Sequence, residues 1–287
     1  MEFAEALARY QALARRDDET IHPRGGSVLL GHGGPTRRAV LLLHGLTASP
    51  MQCDALARNL HASGDTVLIP RLPGHGARER LTTQLRELRG AHLIDAAHEA
   101  LAIARGFGGS VTVAGFSLGG LLALWLAQQE QVDHAVAIAP FLGVACVPHR
   151  ATAALATALR RLPNAFLWWD PIRREKLMPD HGYPRYPTHA IAESLGIAVR
   201  LARLARAAPP ATRRITIVEN ASETGVSNAA ARAVAAAWRA HGADGVAVHR
   251  ITGLPPSHDV IEPLRHGALA RRALRTLLPI LHSARER

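Results

Sequence analysis

Residues 111–120 read VTVAGFSLGG, an apolar run that passes through Gly115-Phe116-Ser117-Leu118-Gly119 into a second apolar run. A strand that leads directly into a helix leaves room only for a sharp turn, and the positions two before and two after the residue at its tip must be small. Gly115 and Gly119 meet that requirement. The segment therefore predicts a strand, a strained turn at Ser117 and a helix that begins at Leu118.

Such a turn pushes the Ser117 hydroxyl into the open, where it can act as a nucleophile. The serine also precedes a helix N-terminus, whose free backbone amides and positive dipole end favour negative charge. We therefore predict Ser117 as the nucleophile and the amide of Leu118 as one donor to an oxyanion.

Short apolar runs alternate with longer amphipathic ones along most of the chain, and this alternation is typical of a parallel sheet covered by helices on both faces. The predicted strands are Ser27–Leu30, Ala39–Leu43, Thr66–Ile69, Val111–Ala114, His134–Ile138, Ile215–Val218 and Val246–Ile251. The predicted helices are an N-terminal one carrying Phe3, Leu7, Tyr10 and Leu13, then Met51–Ala62, Ala91–Arg105, Leu118–Gln129, Ser227–His241 and Pro263–Leu281. The fold class is α/β.

The alternation breaks between residues 141 and 210, which read as helices and loops without a strand. We interpret them as a helical cap inserted between the two parts of the core, residues 1–140 and 211–287. Six of the twelve aromatic residues lie in this segment. Because a cap over a site uses aromatic rings for both packing and ligand contact, we predict substrate contacts from Phe141, Trp168 and Trp169.

The net charge of +11 comes almost entirely from arginines that are scattered through helical segments. They are not gathered on a reading element with stacking aromatic residues, so we expect no nucleic-acid partner. The first twenty residues carry five acidic side chains and no continuous apolar stretch, which argues against a signal peptide and favours a cytoplasmic protein. The apolar runs are shorter than the roughly 18 residues of a membrane span, so no transmembrane segment is expected.

Three further segments carry a family resemblance. Residues 39–47 read AVLLLHGLT, residues 67–76 read VLIPRLPGHG, and residues 254–261 read LPPSHDVI. Together with the turn at Ser117 they resemble the α/β-hydrolase superfamily, in particular small bacterial carboxylesterases and monoacylglycerol lipases. The resemblance implies an α/β-hydrolase fold, a second oxyanion donor in the backbone of Leu46 and a general base in His258, which follows the last predicted strand.

The acidic partner of His258 is less directly indicated, because the aspartate expected after strand Ile215–Val218 is missing. Family members show Asp-x-x-Val in this loop, and Glu223 with Val226 occupies that pattern. A glutamate can serve, since the carboxylate need only fix the imidazole tautomer and stabilise the imidazolium. Glu219, at the end of the strand, is the alternative.

The resemblance implies hydrolysis of a small-molecule carboxylic ester with an apolar acyl chain, through an acyl-enzyme and without metal or organic cofactor. Amide or peptide hydrolysis and acyl transfer would use the same residues and stay open as alternatives. A further alternative is a binding protein of the same fold that has lost catalysis, because the usual aspartate is absent.

Overall fold

The structure is a computed structural model that describes residues 1–283, without the side chains of residues 177 and 263–266. The described chain contains eight α-helices and nine strands. The helices are α1 (Phe3–Ala14), α2 (Asp54–Ala62), α3 (Gly90–Ala104), α4 (Leu118–Gln129), α5 (Thr152–Arg161), α6 (Thr188–Ala207), α7 (Asn228–Arg239) and α8 (Pro263–His282). The strands are β1 (Val28–Leu30), β2 (Thr36–Leu43), β3 (Thr66–Ile69), β4 (Gly108–Phe116), β5 (His134–Ile138), β6 (Phe166–Trp168), β7 (Arg185–Pro187), β8 (Ile215–Asn220) and β9 (Val246–Ile251).

Seven strands form one sheet in the order β1-β3-β2-β4-β5-β8-β9. Every neighbouring pair is parallel except β1 with β3, so the sheet is parallel but for one edge strand. All seven strands that the sequence predicts are present, with ends within three residues of the predicted ones. Strand β4 lies in the middle of the sheet, and its carboxyl end therefore opens onto the centre of one edge.

The central strands are buried on both faces, which explains why they read as continuous apolar runs. Alternate residues of β2 point to opposite sides: Leu41 and Leu43 pack with α3 and α4, while Val40 and Leu42 pack with α2 and α8. This two-sided packing confirms the α/β class. Because both faces are covered, the carboxyl-terminal edge of the sheet is the position left for a site.

Residues 141–210, which we call the cap segment, contain more than helices. Strands β6 and β7 form an antiparallel ribbon within it, and this corrects the expectation of a segment without strands. Each strand has only three residues and β7 ends at Pro187, so neither gives a periodic signal. The last element of the segment, α6, packs against α3, α4 and α7, so part of it belongs to the helical layer on the sheet.

The helices of residues 1–283 include none that is both long and apolar enough to span a bilayer.

Candidate active site

Ser117 lies at the tip of the turn between β4 and α4. Its backbone angles, φ 54° and ψ −111°, are ones that residues other than glycine rarely adopt. The surrounding backbone fixes it: a Cβ on Gly115 would lie 2.2 Å from the carbonyl oxygen of Gly119, and one on Gly119 would lie 1.9 Å from that of Leu43. The two glycines are therefore required by contact between backbones. The strain is retained because β4, α4 and the end of β2 pack tightly around the serine.

His258 lies in the loop after β9, and its Nε2 is 2.7 Å from Oγ of Ser117. The neighbouring Asp259 holds this loop in place. One of its oxygens accepts the amides of Ile261 and Glu262, and the other accepts the side-chain amide of Gln52 at 3.0 Å. Ser117, on the turn after the middle strand, and His258, in the loop after the edge strand β9, thus meet over the carboxyl-terminal edge of the sheet.

Glu223 completes a chain of hydrogen bonds with these two residues. Its Oε2 lies 3.0 Å from Nδ1 of His258, and its side chain has no exposed surface. Burial raises the pKa of this carboxyl group, but the hydrogen bond and charge of His258, with the amides of Gly225 and Val226, outweigh it and leave the pKa below its ordinary value. Glu223 is therefore ionised beside the imidazole at neutral pH.

Glu219, the alternative acid, lies elsewhere. Its Oε2 accepts a hydrogen bond from Arg232 at 2.8 Å, and desolvation raises its pKa despite that partner. The structure thus brings Glu223 to His258 and pairs Glu219 with an arginine.

The amide of Leu46 belongs to the turn after β2, and the amide of Leu118 directly follows Ser117 at the start of α4. Within residues 1–283 neither amide donates a hydrogen bond to the chain, so both are free to bind a ligand oxygen. A Cβ on Gly45 would lie 3.6 Å from Cβ of Ser117, which places the turn after β2 directly against the serine.

His44 orients the peptide that carries the Leu46 amide. Its Nε2 accepts the amide of Leu72 at 3.1 Å, so the ring proton lies on Nδ1, which donates to the carbonyl of Gly45 at 2.9 Å. Complete burial keeps the pKa of His44 well below its ordinary value. A neutral imidazole of one tautomer therefore fixes this peptide plane.

Above Ser117 and His258 lies a cavity of about 490 Å³ whose walls are mostly apolar. The cap segment supplies much of its lining, and the large side chains there are Phe141, Leu155, Leu159, Leu167, Trp169, Met178, Tyr186 and Ile191. The volume falls within the usual range for sites that bury a small organic ligand. The arrangement can bind an apolar group against the serine.

The structure places two of the three predicted aromatic contacts at this cavity, Phe141 and Trp169. Trp168 is not among the described lining residues, and the prediction for it is corrected. It lies in β6, where successive side chains point to opposite faces, so that Leu167 faces the cavity and Trp168 faces away. Its ring instead packs under the guanidinium of Arg174, 5.8 Å from the ring centroid.

Sequence reasoning did not find Gln52, which links the two loops that flank Ser117. Its Oε1 accepts the amide of Gly45 at 2.8 Å, while its Nε2 donates to Asp259. Gln52 is 4% exposed, and a buried amide side chain is retained when its hydrogen bonds are satisfied. The one available signal was a glutamine seven residues after the His-Gly turn, at the start of a predicted helix.

Among residues 1–283, no group of three or more histidine, cysteine, aspartate or glutamate side chains could hold a metal ion.

A parallel sheet with a serine on the turn after its middle strand, and a histidine and a carboxylate on the loops after two later strands, defines a hydrolase of the α/β type. The sequence model of the α/β hydrolase fold matches residues 38–182, half of the chain. The chain belongs to this family. No curated protein sequence shows significant similarity to it.

Solved structures with the same fold include lipolytic enzymes. One, from a study of the metagenome-derived enzymes LipS and LipT, is 19% identical with a TM-score of 0.70 over 92% of this chain and 99% of the other. The monoacylglycerol lipase of Paleococcus ferrophilus is 18% identical, TM-score 0.68, over 90% and 98%. A soluble variant of monoglyceride lipase from Saccharomyces cerevisiae is 15% identical, TM-score 0.67, over 90% and 91%.

Proposed function

We propose that this hydrolase is a serine esterase that cleaves small carboxylic esters through an acyl-enzyme on Ser117. The observation that carries the proposal is the chain from Ser117 Oγ to His258 Nε2 at 2.7 Å and from His258 Nδ1 to Glu223 at 3.0 Å, beneath an apolar cavity. Both distances lie within hydrogen-bonding range.

Acylation begins when Oγ of Ser117 attacks the ester carbonyl carbon and its proton moves to Nε2 of His258. The carbonyl oxygen becomes an oxyanion, which accepts hydrogen bonds from the amides of Leu46 and Leu118. Glu223 holds the imidazole with its proton on Nδ1 and stabilises the imidazolium. As the intermediate collapses, the bond to the alcohol oxygen breaks, and the alcohol leaves with the proton from Nε2.

Deacylation repeats these steps with water. Nε2 of His258 takes a proton from the water as its oxygen attacks the acyl carbon, and the same two amides hold the second oxyanion. The bond to Oγ then breaks, Ser117 recovers its proton from His258, and the carboxylic acid is released. Removing one oxyanion donor from such a site costs on the order of a hundredfold in rate or more, so the two backbone positions contribute substantially alongside the side chains.

Two features support an ester with an apolar acyl chain as the substrate. The cavity walls beside Ser117 are mostly apolar, and Leu155 and Leu159 present one face of α5 to it. The structural relatives whose names state an activity include lipolytic enzymes and monoacylglycerol lipases. An apolar chain gains about 0.8 kcal/mol per buried methylene, which favours longer acyl groups until the cavity is full.

The test is hydrolysis of p-nitrophenyl esters from acetate to palmitate by the wild type and by Ser117→Ala. We expect turnover in the wild type, a kcat/KM that rises with chain length and then falls, and loss of turnover in the variant. Faster cleavage of a peptide arylamide than of its matched ester would favour an amidase. Folded wild type without turnover on any ester would remove the proposal and favour a non-catalytic binding protein.

A further inference from the structure

A second cavity lies where α5, α6 and α7 meet, and it shares no described lining residue with the cavity above Ser117. Its volume is about 250 Å³, and its walls are mostly apolar. Helix α5 contributes to both spaces: Leu155 and Leu159 line the cavity above Ser117, while Thr152 and Ala153 line the second cavity. The second cavity is therefore a separate space that the proposed acyl transfer does not use.

Alanines and valines on facing helices form most of the apolar wall of the second cavity. They are Ala198, Val199 and Ala202 of α6 and Ala230, Ala233 and Val234 of α7. An apolar cavity of about 150 Å³ is already large enough to bind benzene. A short aliphatic chain therefore fits the second cavity, and each methylene group that it buries there favours binding.

The segments that surround the second cavity are strongly basic. Residues 142–161, 188–207 and 227–239 carry eight arginines and a single acidic residue, Glu193. The carboxylate of Glu193 pairs with Arg160 at 3.3 Å. These segments thus hold no further acidic side chain for the other seven arginines.

Two of those arginines, Arg150 and Arg206, line the second cavity together with His149. Within residues 1–283 neither guanidinium has an ion-pair or hydrogen-bond partner, whereas Arg232 on α7 pairs with Glu219 at 2.8 Å. The described lining residues of the second cavity include no acidic side chain. Two guanidinium groups without partners and a mostly apolar wall therefore border the same space.

The N-terminal turn of α5 adds to the positive potential of the second cavity. The helix begins at Thr152, and no side chain caps it. Thr152 and Ala153, its first two residues, both line the cavity. Because the amides and the dipole at a helix N-terminus favour a nearby anion, this turn supports the two arginines in stabilising an acidic group.

We infer that the second cavity is a binding site for an aliphatic carboxylate, whose chain packs against α6 and α7 and whose acidic group binds Arg150 and Arg206. The planar guanidinium group of arginine donates two parallel hydrogen bonds to a carboxylate, an arrangement that a neutral hydroxyl group does not reproduce. The inference goes beyond the proposed function, because no step of the acyl transfer takes place in this cavity. The proposed reaction would nevertheless release a ligand of this class.

The test is calorimetric titration of octanoate into the full chain and into variants of the second cavity. Arg150→Gln and Arg206→Gln each remove one positive group, and each should weaken binding at this site about five- to tenfold, as for loss of one charge-assisted hydrogen bond at an exposed position. Octanoate can also enter the cavity above Ser117, so the number of molecules bound per chain is measured as well. That number should be lower by one in the Arg150→Gln/Arg206→Gln double variant.

Ala233→Leu fills the second cavity without changing its charge, and it should also lower the number of bound octanoate molecules by one. Arg203→Gln and Ala236→Leu are the matched controls. Arg203 on α6 and Ala236 on α7 are exposed and lie outside the described lining, so octanoate binding should stay within about twofold of wild type. Equal weakening in Arg203→Gln and Arg206→Gln would overturn the inference, because octanoate would then respond to net charge alone.

Two further ligands separate the chain of octanoate from its acidic group. 1-Octanol keeps the chain and acetate keeps the carboxylate, and each should bind the second cavity at least about tenfold more weakly than octanoate. Octanol that binds as tightly as octanoate would overturn the role of Arg150 and Arg206. Octanoate binding that is unchanged in both the double arginine variant and Ala233→Leu would overturn the site itself.

The readout does not depend on turnover, so failure of the site and failure of the proposed function are distinguishable. Ser117→Ala should bind the same number of octanoate molecules as the wild type. Ester turnover that survives in Ser117→Ala, with octanoate binding lost in the cavity variants, would remove the proposed function and support the second site. Turnover abolished in Ser117→Ala, with octanoate binding unchanged in the cavity variants, would do the reverse.

Discussion

The two oxygens of Glu223 have separate partners, and only one of them belongs to His258. Oε2 lies 3.0 Å from Nδ1 of the imidazole, while Oε1 accepts the amides of Gly225 at 2.6 Å and Val226 at 3.3 Å. The amides fix the far end of a side chain that is one methylene longer than aspartate. The loop thus accommodates the glutamate by binding its second oxygen to its own backbone.

We expect Glu223→Gln to lower kcat by about a hundredfold or more, because a neutral amide stabilises the imidazolium poorly and can hold the wrong tautomer. The measurement is steady-state hydrolysis of p-nitrophenyl butyrate. Glu219→Gln is the matched control: its side chain can still accept from Arg232, and kcat should stay within about twofold. A large loss of kcat in Glu219→Gln and none in Glu223→Gln would assign the role of the acid to Glu219 instead of Glu223.

Acid should destabilise the fold through His75. Desolvation lowers the pKa of this fully buried imidazole from 6.5 to about 4, so between these values the unfolded chain binds a proton that the folded chain does not. The contribution of the neutral His75 ring to the free energy of unfolding is therefore fully present above pH 6.5 and is lost as the pH falls toward 4. The free energy of unfolding in urea should change less steeply with pH in His75→Asn than in the wild type, by about 1 kcal/mol per pH unit between pH 6 and 5.

The exposed His92→Asn is the control for that experiment, and its pH dependence should match the wild type. Equal slopes in His75→Asn and the wild type would show that the ring takes up its proton in the folded state.

Cysteine labelling should distinguish the two thiols. Cys146 is exposed and lines the cavity, whereas Cys53 is buried, and burial raises the pKa of its thiol. We expect N-ethylmaleimide to modify one thiol in the native chain and two in urea, as counted by mass spectrometry. The adduct should lower kcat/KM for p-nitrophenyl decanoate about tenfold or more, because displacing two methylenes from the cavity costs about 1.6 kcal/mol.

Cys146→Ser should escape both labelling and inhibition in the native state. Inhibition that persists in this variant would mean that the reagent acts at another residue.

The core and its central turn could be predicted because their signals are local. Helix α4 follows strand β4 after a single residue, and Gly115 and Gly119 provide the small positions that such a turn requires. Glu223 was found through its spacing to Val226, and its contact with His258 agrees with that choice. Its catalytic role, like that of His258, stays a prediction until the variants are measured.

The cap segment was harder because its structure depends on contacts between distant residues. The ribbon of β6 and β7 pairs two runs of three residues, and only that pairing reveals that Trp168 faces away from the cavity. Thr47 and Trp169 are 122 positions apart, and their hydrogen bond has no local pattern. Positive φ at a threonine is likewise imposed by its surroundings rather than favoured by its sequence.

The close approach of Gly119 to Leu43 fixes the position of one of the two predicted oxyanion donors. The Leu118 amide belongs to a helix end that lies in close backbone contact with β2. The Leu46 amide belongs to the peptide whose carbonyl group, that of Gly45, is held by His44 from within the core. Both predicted donors are therefore positioned by the core, so a change in the cap segment should alter which molecules the cavity admits and leave the predicted oxyanion site unchanged.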